Sequence, residues 1–212
     1  MPTTSTTTNK RLAQGARSRG EILDAAERMM AVRGFDGTSV ADIARESGLP
    51  NSSIYWHFTS KAGILAAVME RGAERFFVAV ENPPRREGES PRDYLGRAMH
   101  AAGAVLVEQP DFLRIFTLLT LSSEDEDARE IVARVRAHGR ASLVEMIGRA
   151  FAEVAPDRAD AVGEATADFA LAAFDGAFLA LQFTPTGSHE QLMDQLAGAL
   201  AALGGDALEN LA

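Results

Sequence analysis

Cysteine is absent from this 212-residue sequence, which excludes disulfide bonds, zinc ribbons and thiol catalysis. Long apolar runs are absent as well. The longest candidate, residues 165–183, contains Asp168 and Asp175 and does not reach membrane-spanning length. Residues 1–15 are rich in threonine and lack the apolar segment of a secretion signal. We therefore expect a cytoplasmic protein that does not enter a membrane.

Positive charge is scarce overall and unevenly distributed. The formal net charge is −9, which taken alone argues against binding to nucleic acid. Residues 1–75, however, carry ten Lys and Arg against eight Asp and Glu, whereas residues 76–212 carry eleven against twenty-two. Because charges more than about 8–10 Å apart are largely screened at physiological salt, a local basic surface near the amino terminus can still face a polyanion.

Strand-like alternation and hairpin signals are also missing. Apolar residues instead recur at steps of three and four, which is typical of helices, and glycine, proline and N-cap signals divide the chain into about nine of them. Residues 1–15 are predicted to be a disordered tail, with the first helix running from Arg17 to the glycine at position 34. The sequence therefore predicts an all-α protein.

Two short helices joined by a glycine turn follow the first helix. Ser39 opens the first of them with a capping-box pattern, Gly48 closes it, and the second runs from about Pro50 to His57. The outer face of the second helix carries Asn51, Ser52, Ser53 and Trp56. This arrangement predicts a helix-turn-helix, whose second helix enters the major groove of DNA.

The segment 17–71 resembles the DNA-binding domain of the TetR/AcrR repressor family. The matching motifs are Ile22-Leu23-Asp24-Ala25-Ala26, Gly34-Phe35, Thr38-Ser39-Val40, Asp42-Ile43-Ala44, Gly48-Leu49, Ile54-Tyr55-Trp56-His57-Phe58 and Ser60-Lys61. The resemblance implies a homodimer with a divergent C-terminal ligand domain. The predicted domains are a helix-turn-helix domain over 16–62, whose connecting helix reaches about residue 80, and a ligand-binding and dimerisation domain over 63–212.

The resemblance also implies which residues contact DNA. Hydroxyl residues at the start of the second helix are expected to contact phosphate. Residues at the start of the third helix are expected to contact base edges, and residues that follow them are expected to contact phosphate again. Pro50 and Asn51 depart from the polar or lysine residues common there, and Tyr55 and Trp56 could instead pack on the following helix. The predicted DNA-contact residues are Thr38, Ser39, Pro50, Asn51, Ser52, Ser53, Tyr55, Trp56, His57 and Lys61.

The C-terminal part carries two apolar patterns, and each is also what the core of a single subunit looks like. Small residues and a leucine stripe on the last two helices predict a four-helix bundle between two copies, formed by Phe169, Ala173, Gly176, Ala177, Leu192, Leu196 and Leu200. Phenylalanine and methionine residues predict a cavity for a small lipophilic or aromatic effector, lined by Phe76, Phe77, Met99, Phe112, Phe116, Leu119, Met146, Phe174 and Phe178.

The sequence therefore predicts a sequence-specific transcriptional regulator: a ligand-released, homodimeric repressor on palindromic double-stranded DNA, with no cofactor, metal site or catalytic residue. The enzyme alternative rests on the acidic run 124–127. Four consecutive acids cannot share one helix face, and no nucleophile–base set accompanies them. A second alternative is a regulator that binds DNA but senses nothing, or that activates. Effector, operator and regulated genes are not predicted.

Overall fold

The computed structural model describes residues 4–79, 82–108, 110–122, 125–183 and 189–210. Across these ranges the chain forms nine α-helices and no strand, which confirms the predicted all-α class. The helices are α1 (Thr4–Arg33), α2 (Val40–Ser47), α3 (Asn51–His57), α4 (Lys61–Ala79), α5 (Pro91–Glu108), α6 (Pro110–Ser122), α7 (Glu126–Phe151), α8 (Ala159–Phe183) and α9 (His189–Asn210).

Helix α1 corrects the prediction of a disordered tail over 1–15. It begins at Thr4, thirteen residues before the predicted start at Arg17, while residues 1–3 lie outside the described ranges. The physical reason is that no proline lies between residue 4 and the apolar pattern, so nothing forces the helix to begin at Arg17. Leucine, alanine, glutamine and basic residues, which are good helix formers, extend the helix toward the amino terminus.

The chain divides into two compact units. Unit 1 comprises Met1–Ala73 and Asp111–Ala133, and unit 2 comprises Glu74–Pro110 and Arg134–Ala212. This division differs from the predicted boundary at residue 62, because α6 joins the amino-terminal helices. A Cβ placed on Gly72 of α4 would overlap the Phe112 ring of α6, so glycine is what allows this close approach.

Each unit has its own apolar core. In unit 1 the first four helices contribute fully buried side chains to the core, namely Ile22, Met30, Ile43, Ile54, Ile64 and Val68. In unit 2, α5 and α9 pack against each other, and Met193 of α9 occupies the space that a side chain on Gly103 would fill. Burying one large apolar side chain contributes about 1.5–3 kcal/mol, so these cores hold the helices in place.

The segment 82–90 connects two helices and contains proline and glycine. Hydrogen bonds that involve charged side chains nevertheless hold it against the rest of unit 2. The guanidinium of Arg85 donates to the carbonyls of Arg149 and Ala150 in the last turn of α7. The carboxylate of Glu89 accepts from Arg97 of α5 at 2.7 and 2.8 Å. Satisfying the carbonyls at a helix end stabilises that end, so this segment is part of the fold.

Glu89→Gln is expected to lower the melting temperature at pH 7 by about 2–6 °C, because a charge-assisted hydrogen-bond pair is lost. The hydrogen bonds from Arg97 lower the pKa of Glu89 from 4.5 to about 2. The ionised contact therefore stabilises the fold fully above pH 4.5 and is lost as the pH falls toward 2. Thermal unfolding at several pH values should show the difference from wild type shrinking below pH 4.5.

Glu87→Gln is the matched control, since Glu87 is exposed in the same segment. It should melt like wild type at every pH. A Glu89→Gln difference that stays constant down to pH 2 would show that the charge of Glu89 is not what stabilises the segment.

Candidate nucleic-acid interface

The start of α2 is fixed by the predicted capping box. The Ser39 hydroxyl accepts from the Asp42 backbone N–H at 3.1 Å, and the Ser39 N–H donates to the Asp42 carboxylate at 3.1 Å. Hydrogen bonds from the Ser39 side chain and backbone, and then Arg45, lower the pKa of Asp42 to about 2. The capping role of Ser39 is confirmed, and its contact with phosphate stays a prediction.

The turn between α2 and α3 sets the direction of the second helix. Gly48 has φ +70°, in the left-handed region that favours glycine, and ends α2. Pro50 precedes α3 with φ −67° and ψ 152°, and its carbonyl accepts from the Ser53 N–H at 2.9 Å. Ile43 and Ile54 are fully buried. One face of each short helix is thus held in the core of unit 1, which leaves the other face of α3 outward.

Two large aromatic side chains on the outward face of α3 are exposed to solvent. Tyr55 is 59% exposed and Trp56 is 76% exposed, so the alternative in which they pack on the following helix is not what the structure shows. Exposed aromatic rings beside polar groups are typical of a contact surface. Among the predicted DNA-contact residues, Ser39, Pro50, Asn51, Ser52, Tyr55 and Trp56 are exposed, and Ser53, His57 and Lys61 are half-buried.

A cleft of about 300 Å³ separates α1 from α3, and we call it the α1–α3 cleft. Its lining residues are Gln14, Gly15, Ser18, Ser52, Ser53, Trp56 and His57. The Trp56 ring stands edge-on to His57 with centroids 4.5 Å apart. Burial, and then the charge of Arg19, lower the pKa of His57, so the imidazole is neutral at pH 7 and donates one N–H.

The α1 residues of this cleft were missed by the sequence reasoning because they lie in or next to the predicted tail. A signal was present. Gln14 and Ser18 are four residues apart, a spacing that places two side chains on one helix face. Extending the first helix by one turn would have brought both beside the recognition helix.

The structure corrects the predicted role of Thr38. Its side chain is buried, with 1% of its surface exposed, and its hydroxyl donates to the Gly34 carbonyl at 2.9 Å. A buried hydroxyl that already donates inside the protein does not reach phosphate. Thr38 instead fixes the turn that follows α1.

Lys61 also faces the protein. Its ammonium donates to the Phe35 carbonyl at 3.0 Å and lies 4.0 Å from the centroid of the Phe35 ring. Because both contacts hold the turn after α1, we expect Lys61→Met to lower the unfolding free energy of unit 1 by about 1–2 kcal/mol. Chemical denaturation of the free protein measures this loss.

Arg33→Met is the control for Lys61→Met, since it removes an exposed cation from the same unit, and its effect should stay within about 0.5 kcal/mol. If Lys61→Met left stability unchanged and weakened only DNA binding, Lys61 would contact DNA rather than stabilise the fold.

The predicted dimer residues separate into two groups. Phe169 is 49% exposed and Gly176 is exposed, while Ala173, Leu192 and Leu196 are half-buried. Ala177 and Leu200 are 3% and 1% exposed, which corrects their predicted place in an interface. They lie on the faces of α8 and α9 that pack inside unit 2.

The predicted pocket residues also fall into two groups, and the pocket itself stays a prediction. In unit 2 the Phe76 ring lies 5.5 Å from Phe77 and 6.1 Å from Phe174, and Met99, Met146 and Phe178 are buried. In unit 1 the rings of Phe112 and Phe116 lie 6.4 Å apart, and Leu119 is buried.

Two other kinds of site are absent from the described parts of the chain. No helix there is long and apolar enough to cross a membrane. No group of three or more His, Asp or Glu side chains is placed to hold a metal ion in the same ranges.

Known proteins match the helix-turn-helix region. A family model described as "Bacterial regulatory proteins, tetR family" matches residues 22–68. Relatives include the HTH-type transcriptional regulators TtgR of Pseudomonas putida, 42% identical over 53 residues, and AcrR of Shigella flexneri, 36% identical over 53 residues. Each match covers 25% of this chain and 25% of the relative, so the chain spans about a quarter of the length of these relatives.

Solved structures match over most of the chain. A TetR-like transcriptional regulator from Rhodococcus sp. RHA1 has a TM-score of 0.64 and 21% identity, covering 91% of this chain and 96% of the other. The MbdR regulator from Azoarcus sp. CIB has a TM-score of 0.65 and 18% identity, covering 87% and 97%. At these identities the likeness shows the fold. The helix-turn-helix region, residues 22–68, thus matches the tetR family of bacterial regulatory proteins, and the chain as a whole shares the fold of these solved regulators.

Proposed function

We propose that this chain is a DNA-binding transcriptional regulator that acts as a homodimeric repressor on a palindromic operator and is released by a small ligand. The observation that carries the proposal is the outward face of α3, on which Tyr55 and Trp56 are exposed beside Asn51 and Ser52 while Ile54 is fully buried. A short helix anchored by one face and open on the other is suited to the major groove.

Helix α8 supports the proposed dimer. One side of it exposes apolar or small residues at steps of four and three, namely Ala165, Phe169, Ala172, Gly176 and Leu179. Beside this stripe, Arg140 pairs with Glu164 and Asp168 at 2.8 Å each, which supplies a polar border. An apolar stripe with a charged border is typical of a subunit interface, and a two-fold operator requires two copies.

Helix α4 supports the proposed release by ligand. It is one continuous helix over Lys61–Ala79, and the boundary between unit 1 and unit 2 falls inside it. A lipophilic or aromatic effector held near the phenylalanine residues of unit 2 can act on unit 1 through this helix. Only a difference in effector affinity between the DNA-competent and DNA-free states is needed, and about 1–3 kcal/mol is typical.

Selection of bound fragments from a random-sequence duplex library tests the DNA-binding proposal. We expect enrichment of one palindromic sequence whose half-sites are about one helical turn apart. Affinity for it should fall with salt, with a slope near −0.9 per neutralised phosphate. A purified chain that enriches no sequence and binds no duplex would overturn the proposal.

Thermal shift against a panel of lipophilic and aromatic compounds tests the ligand. A compound that binds the folded chain raises its stability by RT ln(1 + [L]/Kd), and the same compound should release the selected duplex. A chain that binds the duplex but is stabilised by no compound would instead be a regulator without an effector.

A further inference from the structure

The α1–α3 cleft is lined by hydrogen-bonding groups that carry no negative charge. The α1 wall presents the amide of Gln14 and the hydroxyl of Ser18, and the α3 wall presents two serine hydroxyls beside the rings of Trp56 and His57. Hydroxyl, amide, indole and imidazole groups all donate hydrogen bonds. The lining therefore offers donors from two helices to whatever enters between them.

Arg19 gives the cleft a positive charge. Its guanidinium lies 5.3 Å from the centroid of the Phe58 ring, and its charge acts on the His57 imidazole of the cleft. Within the part of the chain that the structure describes, Arg19 has no carboxylate partner. Four other arginines of unit 1 do have one: Arg17 pairs with Glu21, Arg28 with Glu46, Arg45 with Asp42 and Arg71 with Asp24. The uncompensated cation therefore lies next to the donors.

The shape of the cleft depends on Gly15. A Cβ at this position would lie 3.7 Å from the outer carbons of the Trp56 indole, which is ordinary van der Waals contact. An alanine is therefore accommodated, whereas a longer side chain would compete with the indole for the space. Because Gly15 has no side chain, nothing projects from this position of α1 into the cleft, which stays open toward solvent.

We propose that the α1–α3 cleft binds a phosphodiester of the DNA backbone next to the base pairs that α3 reads, with Gln14 and Ser18 donating to its oxygens. This inference rests on the proposed function. Its occupant follows from continuity, because Ser52 and Ser53 belong both to the cleft wall and to the face that meets the bases. A strand that passes the start of α3 is thus brought to donors and a cation of α1.

Charge insertion at two neighbouring positions of α1 tests the proposal. Gln14→Lys adds a cation inside the cleft, and Ala16→Lys adds the same cation two residues away, about 200° around the helix. Binding is measured by fluorescence anisotropy of a labelled random-sequence duplex over a series of KCl concentrations. Gln14→Lys should steepen the log–log salt slope by about 0.9, whereas Ala16→Lys should change it by less than half as much because screening weakens the more distant charge.

Ser18→Ala is the second variant and adds no charge. It should weaken binding about three- to tenfold on every duplex sequence alike, with the salt slope unchanged. Helix content and melting of each variant, followed by circular dichroism, should match wild type because Gln14 and Ala16 are exposed and Ser18 is half-buried at the cleft rather than in the core.

The outcomes separate the two proposals. If wild type binds duplex DNA but Gln14→Lys and Ala16→Lys shift the slope equally, or Ser18→Ala binds like wild type, the cleft is not a phosphate site and the regulator proposal stands. If wild type binds no duplex at any salt concentration, both proposals fail.

Discussion

Gly176→Arg in α8 is expected to convert the proposed homodimer into a monomer and to weaken binding to the proposed palindromic operator by at least about 100-fold. The Cβ of a side chain at Gly176 meets nothing within 4 Å in the subunit, and arginine is a better helix former than glycine. The monomer fold should therefore tolerate the change. In the proposed interface the same arginine buries a charge, and losing one of two linked half-site contacts costs about 10²–10⁴ in affinity.

Sedimentation equilibrium and titration of the selected operator give the two readouts for Gly176→Arg. Gly96→Arg is the matched control, because a side chain at Gly96 of α5 also meets open space within unit 2. It should remain dimeric and bind like wild type. A Gly176→Arg protein that stays dimeric would move the interface away from the exposed face of α8.

Ile54→Ala is expected to lower the unfolding free energy of unit 1 by about 3 kcal/mol, whereas Ser53→Ala changes the selected DNA sequence and leaves stability nearly unaltered. Ile54 is fully buried in α3, and removing such a side chain leaves a cavity. Ser53, its neighbour, is half-buried on the face that opens toward solvent. Denaturant unfolding and repetition of the duplex selection measure the two effects.

The adjacent positions serve as controls for each other. If Ser53→Ala unfolded unit 1 while Ile54→Ala were tolerated, α3 would be rotated about its axis. The face assigned to the major groove would then be wrong.

Short-range signals predicted the helix-turn-helix well. Helix α2 has the predicted bounds, since a capping serine at one end and a left-handed glycine at the other depend only on neighbouring residues. The match at the helix-turn-helix is likewise with proteins that are named as transcriptional regulators.

Tertiary contacts explain what the sequence did not predict. The sequence alone predicts that the Thr38 hydroxyl contacts phosphate. Only the structure shows that this hydroxyl donates to the Gly34 carbonyl instead. The stripes that contain Ala177 and Leu200 show that one side of each helix is apolar, but not whether that side packs within a subunit or between two. The place of α6 in unit 1 depends on a contact between Gly72 and Phe112, forty residues apart.

The position of Trp56 makes the protein its own optical probe. It is the single tryptophan of the chain, and three quarters of its surface is open on the recognition helix. Selective excitation of the indole therefore reports from α3 alone, free of emission by any other tryptophan. Quenching or a blue shift on adding unlabelled duplex would give a binding isotherm for the unmodified protein, and its reversal by a compound would reveal an inducer without a reporter gene.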